Sequence, residues 1–145
     1  MRIRTNTSPK PMRDKVFIDT SAFYASLNRK DIHHQEALRL FERAAQERWV
    51  LVTSNFVVAE THALILHRLG ASAAREWLEK IPARVERATE EDERRAVQII
   101  FSYPDKDFTL CDAISFVLME RLRIGKVMSF DRHFEQYGRF MVLKV

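Results

Sequence analysis

Apolar positions along the chain alternate between short continuous runs and longer stretches with helical spacing. Val16-Phe17-Ile18 is a continuous run, as expected of a strand covered on both faces, and a short helix is expected from Thr20 to about Asn28. Asp31 stands where a helix cap is needed, ahead of a longer helix reaching about Arg48 with Leu38, Phe41 and Ala45 at helical spacing. Trp49 to Thr53 is apolar and β-branched, a second strand. Asn55 to Leu69 reads as a helix stopped by Gly70, and a further helix from Ala71 to Lys80 ends before Pro82. A third strand is expected from Ala83 to Ala88. Thr89-Glu90-Glu91-Asp92 resembles a capping box and opens a helix to about Ser102. After the break at Tyr103-Pro104, Leu110 to Arg123 forms a nearly all-apolar helix closed by Gly125. Lys126 to Ser129 is a fourth strand, a short helix follows near His133 to Gln136, and Arg139 to Leu143 is the last strand. Repeated βα units of this kind predict one α/β domain with a mainly parallel sheet and helices on both faces.

Length agrees with that reading: 145 residues match one domain of roughly 100–200 and suffice for a core without staples. Apolar residues at 46% and charged residues at 30% exclude wholesale disorder. No apolar run approaches the ~18 residues of a membrane helix, and no signal-peptide pattern is present. Cys111 is the sole cysteine, which excludes an intrachain disulfide and leads us to expect a cytoplasmic, reducing setting.

The net charge of +4 suggests a nucleic-acid footprint until it is located. Residues 1–15 hold five bases against Asp14 alone, which leaves 19 of the 24 bases and 19 of the 20 acids in the rest. The charge belongs to the N-terminus and the body is neutral. Residues 1–14 read as a flexible basic tail before a single domain at 15–145, with Met12 as an alternative translation start.

Four acids change the picture. In open parallel sheets, ligands bind beyond the carboxyl ends of the strands. Asp19 stands there after the first strand, and Asp131 follows the fourth in Ser129-Phe130-Asp131. Asp112 opens the all-apolar helix, whose burial puts its first turn at the sheet edge. Glu60 shares a helix face with Val57 and Leu64, so its carboxylate lies in an apolar stripe. Each acid also has a plainer reading, as a helix cap or an edge residue reaching solvent. Together they would repel: two unit charges ~4 Å apart cost ~4 kcal/mol at an effective dielectric of 20, against a domain stability of ~5–15 kcal/mol. A divalent cation relieves this, and all-oxygen donors suit Mg²⁺ or Mn²⁺. Phosphodiester hydrolysis is then the leading chemistry.

Other signals carry less. His62 and His67 fall off one helical face and His33-His34 diverge, so no histidine metal pattern is expected. Cys111 lacks a histidine at motif spacing. Asp105-Lys106-Asp107 is not a calcium loop, although Asp107 is a further candidate for the acidic rim, and Tyr24 and Phe108 are candidates to stack a base. An aspartyl-phosphate phosphatase is disfavoured because Ser21 stands where its second acid belongs.

Asp19 in VFIDTSAFYA, Glu60 in SNFVVAET, Asp112 in DKDFTLCDAISFVLM and Asp131 in MSFDRHFEQYG resemble the PIN-domain ribonucleases, most closely the VapC-type toxins of toxin–antitoxin pairs. The likeness runs from about Lys15 to the C-terminus and lies in the set of acids, their order and spacing. It implies a three-layer α/β/α domain with a mainly parallel central sheet. It also implies Mg²⁺- or Mn²⁺-dependent endonucleolytic cleavage of RNA, homodimerisation and a cognate antitoxin. Asp19, Glu60 and Asp112 would be the main metal ligands, Asp131 would complete the cluster, and Ser129 would orient a ligand or water. Thr20 and Ser21 would support the metal shell or contact phosphate. Two alternatives remain at this stage, a housekeeping RNA-processing PIN nuclease and a non-catalytic protein-binding module whose acids only cap helices.

Overall fold

A computed structural model describes residues 13–145, so the expectations for the preceding tail lie outside the described residues. The elements are β1 (Lys15–Ile18), α1 (Thr20–Leu27), α2 (His34–Gln46), β2 (Val50–Ser54), α3 (Asn55–Leu69), α4 (Ala71–Glu79), β3 (Arg84–Glu86), α5 (Glu90–Ser102), α6 (Leu110–Arg121), β4 (Lys126–Met128), α7 (His133–Tyr137) and β5 (Met141–Val142). All five strands are parallel, in the order β3-β2-β1-β4-β5, and helices pack around the sheet.

That order positions the site. The chain builds outward from β1 through β2 to β3, then returns to add β4 and β5 on the other side. The order therefore reverses between β1 and β4, where open parallel sheets leave a crevice at their carboxyl ends. Val16, Phe17 and Ile18 are fully buried, as their continuous apolar run requires. The Asp19 amide donates to the Met128 carbonyl at 3.1 Å, which ties the residue after β1 to the end of β4.

The all-apolar pattern of α6 has its counterpart in the fold: Cys111 to Met119 are buried without a break. Phe116 at its centre stacks on Tyr137 (ring centroids 4.2 Å apart) and meets Phe108 and Phe134 edge-on, each at 5.1 Å. Such pairs add ~0.5–1.5 kcal/mol each beyond burial. Here they hold α7 and the segment before α6 against that helix.

Three local expectations are corrected. Asp31 does not cap α2; it folds a turn, with its carbonyl accepting from the His34 amide (3.0 Å) and its Oδ1 from the His33 amide (2.8 Å). The inward line of α2 is Ala37, Leu40 and Ala44, one residue behind the expected Leu38, Phe41 and Ala45. Two neighbouring apolar lines run along this helix, and packing on α1 selects the one whose alanines allow close approach. Gly125 does not close α6 either. Arg123 takes the left-handed turn at φ +57°, and the Ile124 amide reaches back to the Met119 carbonyl at 2.8 Å. Gly70 (φ +100°) and Gly138 (φ +77°) do occupy positions that disfavour other residues.

The seam between α5 and α6 depends on one buried acid. Asp92, 1% exposed, completes the Thr89 capping box and accepts from Arg121 Nε and Nη2 at 3.0 and 2.9 Å. Burial alone would raise its pKa, but the Arg121 and Thr89 hydrogen bonds hold it below the usual carboxylate range. Truncating one partner of a buried pair costs ~3–5 kcal/mol; the Arg121 side chain is 37% exposed, which reduces the effect. Arg121→Ala is expected to lower stability by ~2 kcal/mol in urea denaturation. A change below about 0.5 kcal/mol, the range of ordinary surface substitutions, would contradict this reading.

Candidate active site

Asp19 ends the central strand and is only 3% exposed. It occupies the cap position of α1 but makes no side-chain cap hydrogen bond, so helix capping does not explain it. Instead its Oδ2 accepts from Ser21 Oγ and Ser129 Oγ, each at 3.0 Å. The two hydroxyls lie 3.2 Å apart and themselves accept backbone amides, Ser21 from Phe130 (2.9 Å) and Ser129 from Asp131 (3.0 Å). This network joins the loop after β1 to the loop after β4. The carboxyl pKa is pushed up to about 7, first by burial and then by the charges of Asp112 and Asp131, while the serine hydrogen bonds oppose the rise.

Asp112 completes the Thr109 capping box of α6 and faces the crevice with the same carboxylate. Its Oδ2 accepts from the Thr109 amide (3.0 Å), and Thr109 Oγ1 accepts from the Asp112 amide (3.0 Å). Burial raises its pKa more than the Thr109 hydrogen bonds and His133 lower it. On the other side, His133 Nδ1 lies 2.6 Å from Asp112 Oδ2 and 3.2 Å from Asp131 Oδ1. His133 Nε2 lies 3.0 Å from Asp107 Oδ1. Burial would lower the His133 pKa, but Asp112, Asp131 and Asp107 together raise it. Asp131 is half-buried and turns the chain into α7 by accepting the His133 amide at 3.0 Å.

Glu60 departs from its expected environment. Val57, Thr61 and Ile65 form the buried line of α3, and Glu60 lies beside that line, exposed at the margin. Glu60 therefore does not lie in an apolar stripe, because it stands one step around the helix from the buried line. It still borders the same rim: burial, then Glu60, Asp19 and Asp112, push the Cys111 thiol well above its ordinary range. A thiol so placed stays protonated and is no nucleophile.

These donors suit a hard divalent cation. Two buried carboxyls are raised in pKa beside a third acid, the response expected where positive charge is needed. One donor atom each from Asp112, Asp131 and His133 lies within 4.8 Å of the others. A parallel sheet with buried acids at its switch point is a strong sign of kinship, and the comparison with known families decides it: the PIN domain profile matches residues 16–140. The chain belongs to the PIN-domain family.

This PIN domain is 32% identical over 127 residues to a Mycobacterium tuberculosis protein named 23S rRNA-specific endonuclease VapC20, covering 85% of this chain and 94% of that one. An Archaeoglobus fulgidus protein named VapC ribonuclease is 30% identical over 121 residues, covering 81% and 77%. The crystal structure of M. tuberculosis VapC20, described as a Sarcin-Ricin loop cleaving toxin, superposes with a TM-score of 0.81 at 31% identity, covering 90% of this chain and 99% of that one. The crystal structure of VapBC2 from Rickettsia felis, bound to a DNA fragment from their promoter, shares the fold at a TM-score of 0.68 and 10% identity.

Several residues of this PIN domain take other places than expected. Thr20 is buried and accepts from Thr61 Oγ1 at 3.1 Å, which fastens α1 to α3 and removes it from phosphate contact. Tyr24 and Phe108 are buried too and cannot stack a base. Phe108 sets its ring edge-on to His133 at 5.6 Å and so helps orient the imidazole. His133 is the site neighbour that a search for histidine pairs misses, and Asp107, a candidate for the acidic rim from sequence, meets the site through it. The available signal was the spacing Asp131-x-His133, which only a loop that turns both side chains into one crevice makes meaningful.

Proposed function

We propose that the chain is a divalent-metal-dependent endoribonuclease, the toxin of a type II toxin–antitoxin pair, with Mg²⁺ or Mn²⁺ held by Asp19, Glu60, Asp112 and Asp131. The observation that carries the reading is Asp19, a buried, serine-held carboxyl at the switch point of the sheet, charge-coupled to Asp112 and Asp131. When bound, the cation supplies a polarised phosphoryl oxygen and a more acidic water. The chain supplies the positions. Ser21 and Ser129 hold Asp19, the Thr109 capping box holds Asp112, and Ser129 fixes the loop that carries Asp131. Glu60 approaches from the exposed edge of α3, and Arg132, 71% exposed in its side chain, stands beside the crevice as a partner for backbone phosphate.

The domain boundary belongs to the same proposal: residues 15–145 form the nuclease and residues 1–14 a basic tail that adds phosphate contacts. An antitoxin is proposed to cover the apolar cavity of about 500 Å³ bordered by Phe23, Leu27, Leu38, Phe41, Leu69 and Trp77. A homodimer is proposed through the exposed Val97 and Phe101 of α5. Among the described residues no helix is long and apolar enough to cross a membrane, and a cytoplasmic site of action fits the RNA substrate.

The test is cleavage of an end-labelled RNA panel that includes a ribosomal stem-loop, since one relative is named for 23S rRNA. Cutting is expected with Mn²⁺ or Mg²⁺ and none with EDTA. Equal cutting in EDTA, or none of any RNA with either metal, would contradict the proposal.

A further inference from the structure

His133 is used neither by the fold nor by the four-acid ligand set. The residue is 9% exposed, and its Nδ1 is buried without a hydrogen-bond partner among the described residues. Its neighbours are the carboxylate oxygens of Asp112 at 2.6 Å and Asp131 at 3.2 Å, neither aligned to accept a hydrogen bond from it. The protein gives Nδ1 no aligned hydrogen-bond partner, and the groups nearest to it are two carboxylate oxygens. A cation among the three atoms satisfies all of them. Adjacent donors around an octahedral ion with ~2.1 Å bonds are ~3 Å apart, close to the spacings seen here.

The far side of the ring is arranged to match. Nε2 lies 3.0 Å from Asp107 Oδ1, and Phe108 packs edge-on against the imidazole. A metal-bound histidine almost always gives its other N–H to a carboxylate or carbonyl, which fixes the tautomer and makes the ligating nitrogen more basic. With Nε2–H donated to Asp107, the lone pair of Nδ1 points into the acidic crevice.

We propose that His133 Nδ1 is a direct ligand of the divalent cation held by Asp112 and Asp131, with Asp107 as the carboxylate that orients the ring. The proposal rests on the metal-dependent reading above and adds a nitrogen to an oxygen site. A nitrogen donor favours Mn²⁺ and later transition ions over Mg²⁺. His133→Gln is accordingly expected to weaken Mn²⁺ binding by about 10–100-fold and Mg²⁺ binding much less, and Asp107→Asn to weaken Mn²⁺ while leaving the nitrogen bound.

Electron spin-echo envelope modulation of the Mn²⁺-loaded full chain tests this without reference to activity. Wild-type protein is expected to show ¹⁴N modulation of imidazole type that changes when histidine is labelled with ¹⁵N. Mn²⁺ bound stoichiometrically without that modulation would overturn the histidine ligand and leave the acid site standing. Failure to bind Mn²⁺ at all would overturn both. Loss of the modulation in His133→Gln assigns it to this residue among the five histidines, and a wild-type spectrum without it overturns the ligand even if that variant does not fold.

Discussion

Asp112→Asn is expected to lower metal-dependent RNA cleavage by about 10²–10⁴-fold while leaving the domain folded, because several kcal/mol of charge stabilisation at the phosphoryl group depend on the cation. The two roles of this carboxyl separate cleanly in the variant. As a helix cap, Asp112 needs only an oxygen that accepts the Thr109 amide, now 3.0 Å away, and the asparagine carbonyl provides one. As a cation donor it needs negative charge, which asparagine lacks. The stability cost of the cap should stay within ~1 kcal/mol. Single-turnover cleavage at saturating Mn²⁺, beside urea denaturation of both proteins, separates the effects. A variant that cuts within a few-fold of wild type would show that Asp112 is a cap and nothing more.

Asp19→Asn is expected to raise stability when no metal is bound. With its folded pKa at about 7 against an ordinary 3.8, Asp19 keeps a proton that the unfolded chain has already lost. The folded state binds the extra proton across that window, so stability falls as pH rises from about 4 to about 7, by up to ~1.4 kcal/mol per pH unit from this one group. Above the window the cost is complete. In EDTA at pH 8, Asp19→Asn should therefore be more stable than wild type by ~2–4 kcal/mol, and the gain should vanish near pH 4. The asparagine oxygen can still accept from Ser21 and Ser129. Saturating Mn²⁺ should narrow that gap, since a ligand at 100 times its Kd adds ~2.7 kcal/mol to the protein that binds it and less to a variant that binds it more weakly. Equal stability of the two proteins in EDTA at pH 5 and pH 8 would contradict the burial and charge coupling assigned to Asp19.

Much of this was legible in the chain because period and chemistry agree. The run Val16-Phe17-Ile18 needs two covered faces and occupies the centre of the sheet, and the uninterrupted apolar face of α6 lies buried throughout. The Thr89 and Thr109 boxes form with both reciprocal hydrogen bonds, since capping is decided within four residues. What failed depends on tertiary choice. Sequence alone does not select between the adjacent lines Ala37/Leu40/Ala44 and Leu38/Phe41/Ala45 on α2. It equally fails to show that Glu60 lies one step outside the buried line Val57, Thr61 and Ile65. The left-handed turn at Arg123 went to a non-glycine residue because the Ile124 amide has a carbonyl to reach there. Asp107 and His133 meet across 26 residues through an aromatic cluster around Phe116, a contact that no local pattern encodes.

On the proposed function, the buried acids at the end of β1 and the start of α6 hold one divalent cation together. Calorimetric titration of Mn²⁺ into wild type, Asp19→Asn and Asp112→Asn tests it most directly. Stoichiometric binding to wild type at pH 8 is expected, with affinity at least about tenfold weaker in each variant, because each loses a charged donor to the same ion. Mn²⁺ affinity that is the same in all three proteins would place the ion elsewhere and leave the acids of this crevice without a metal to hold.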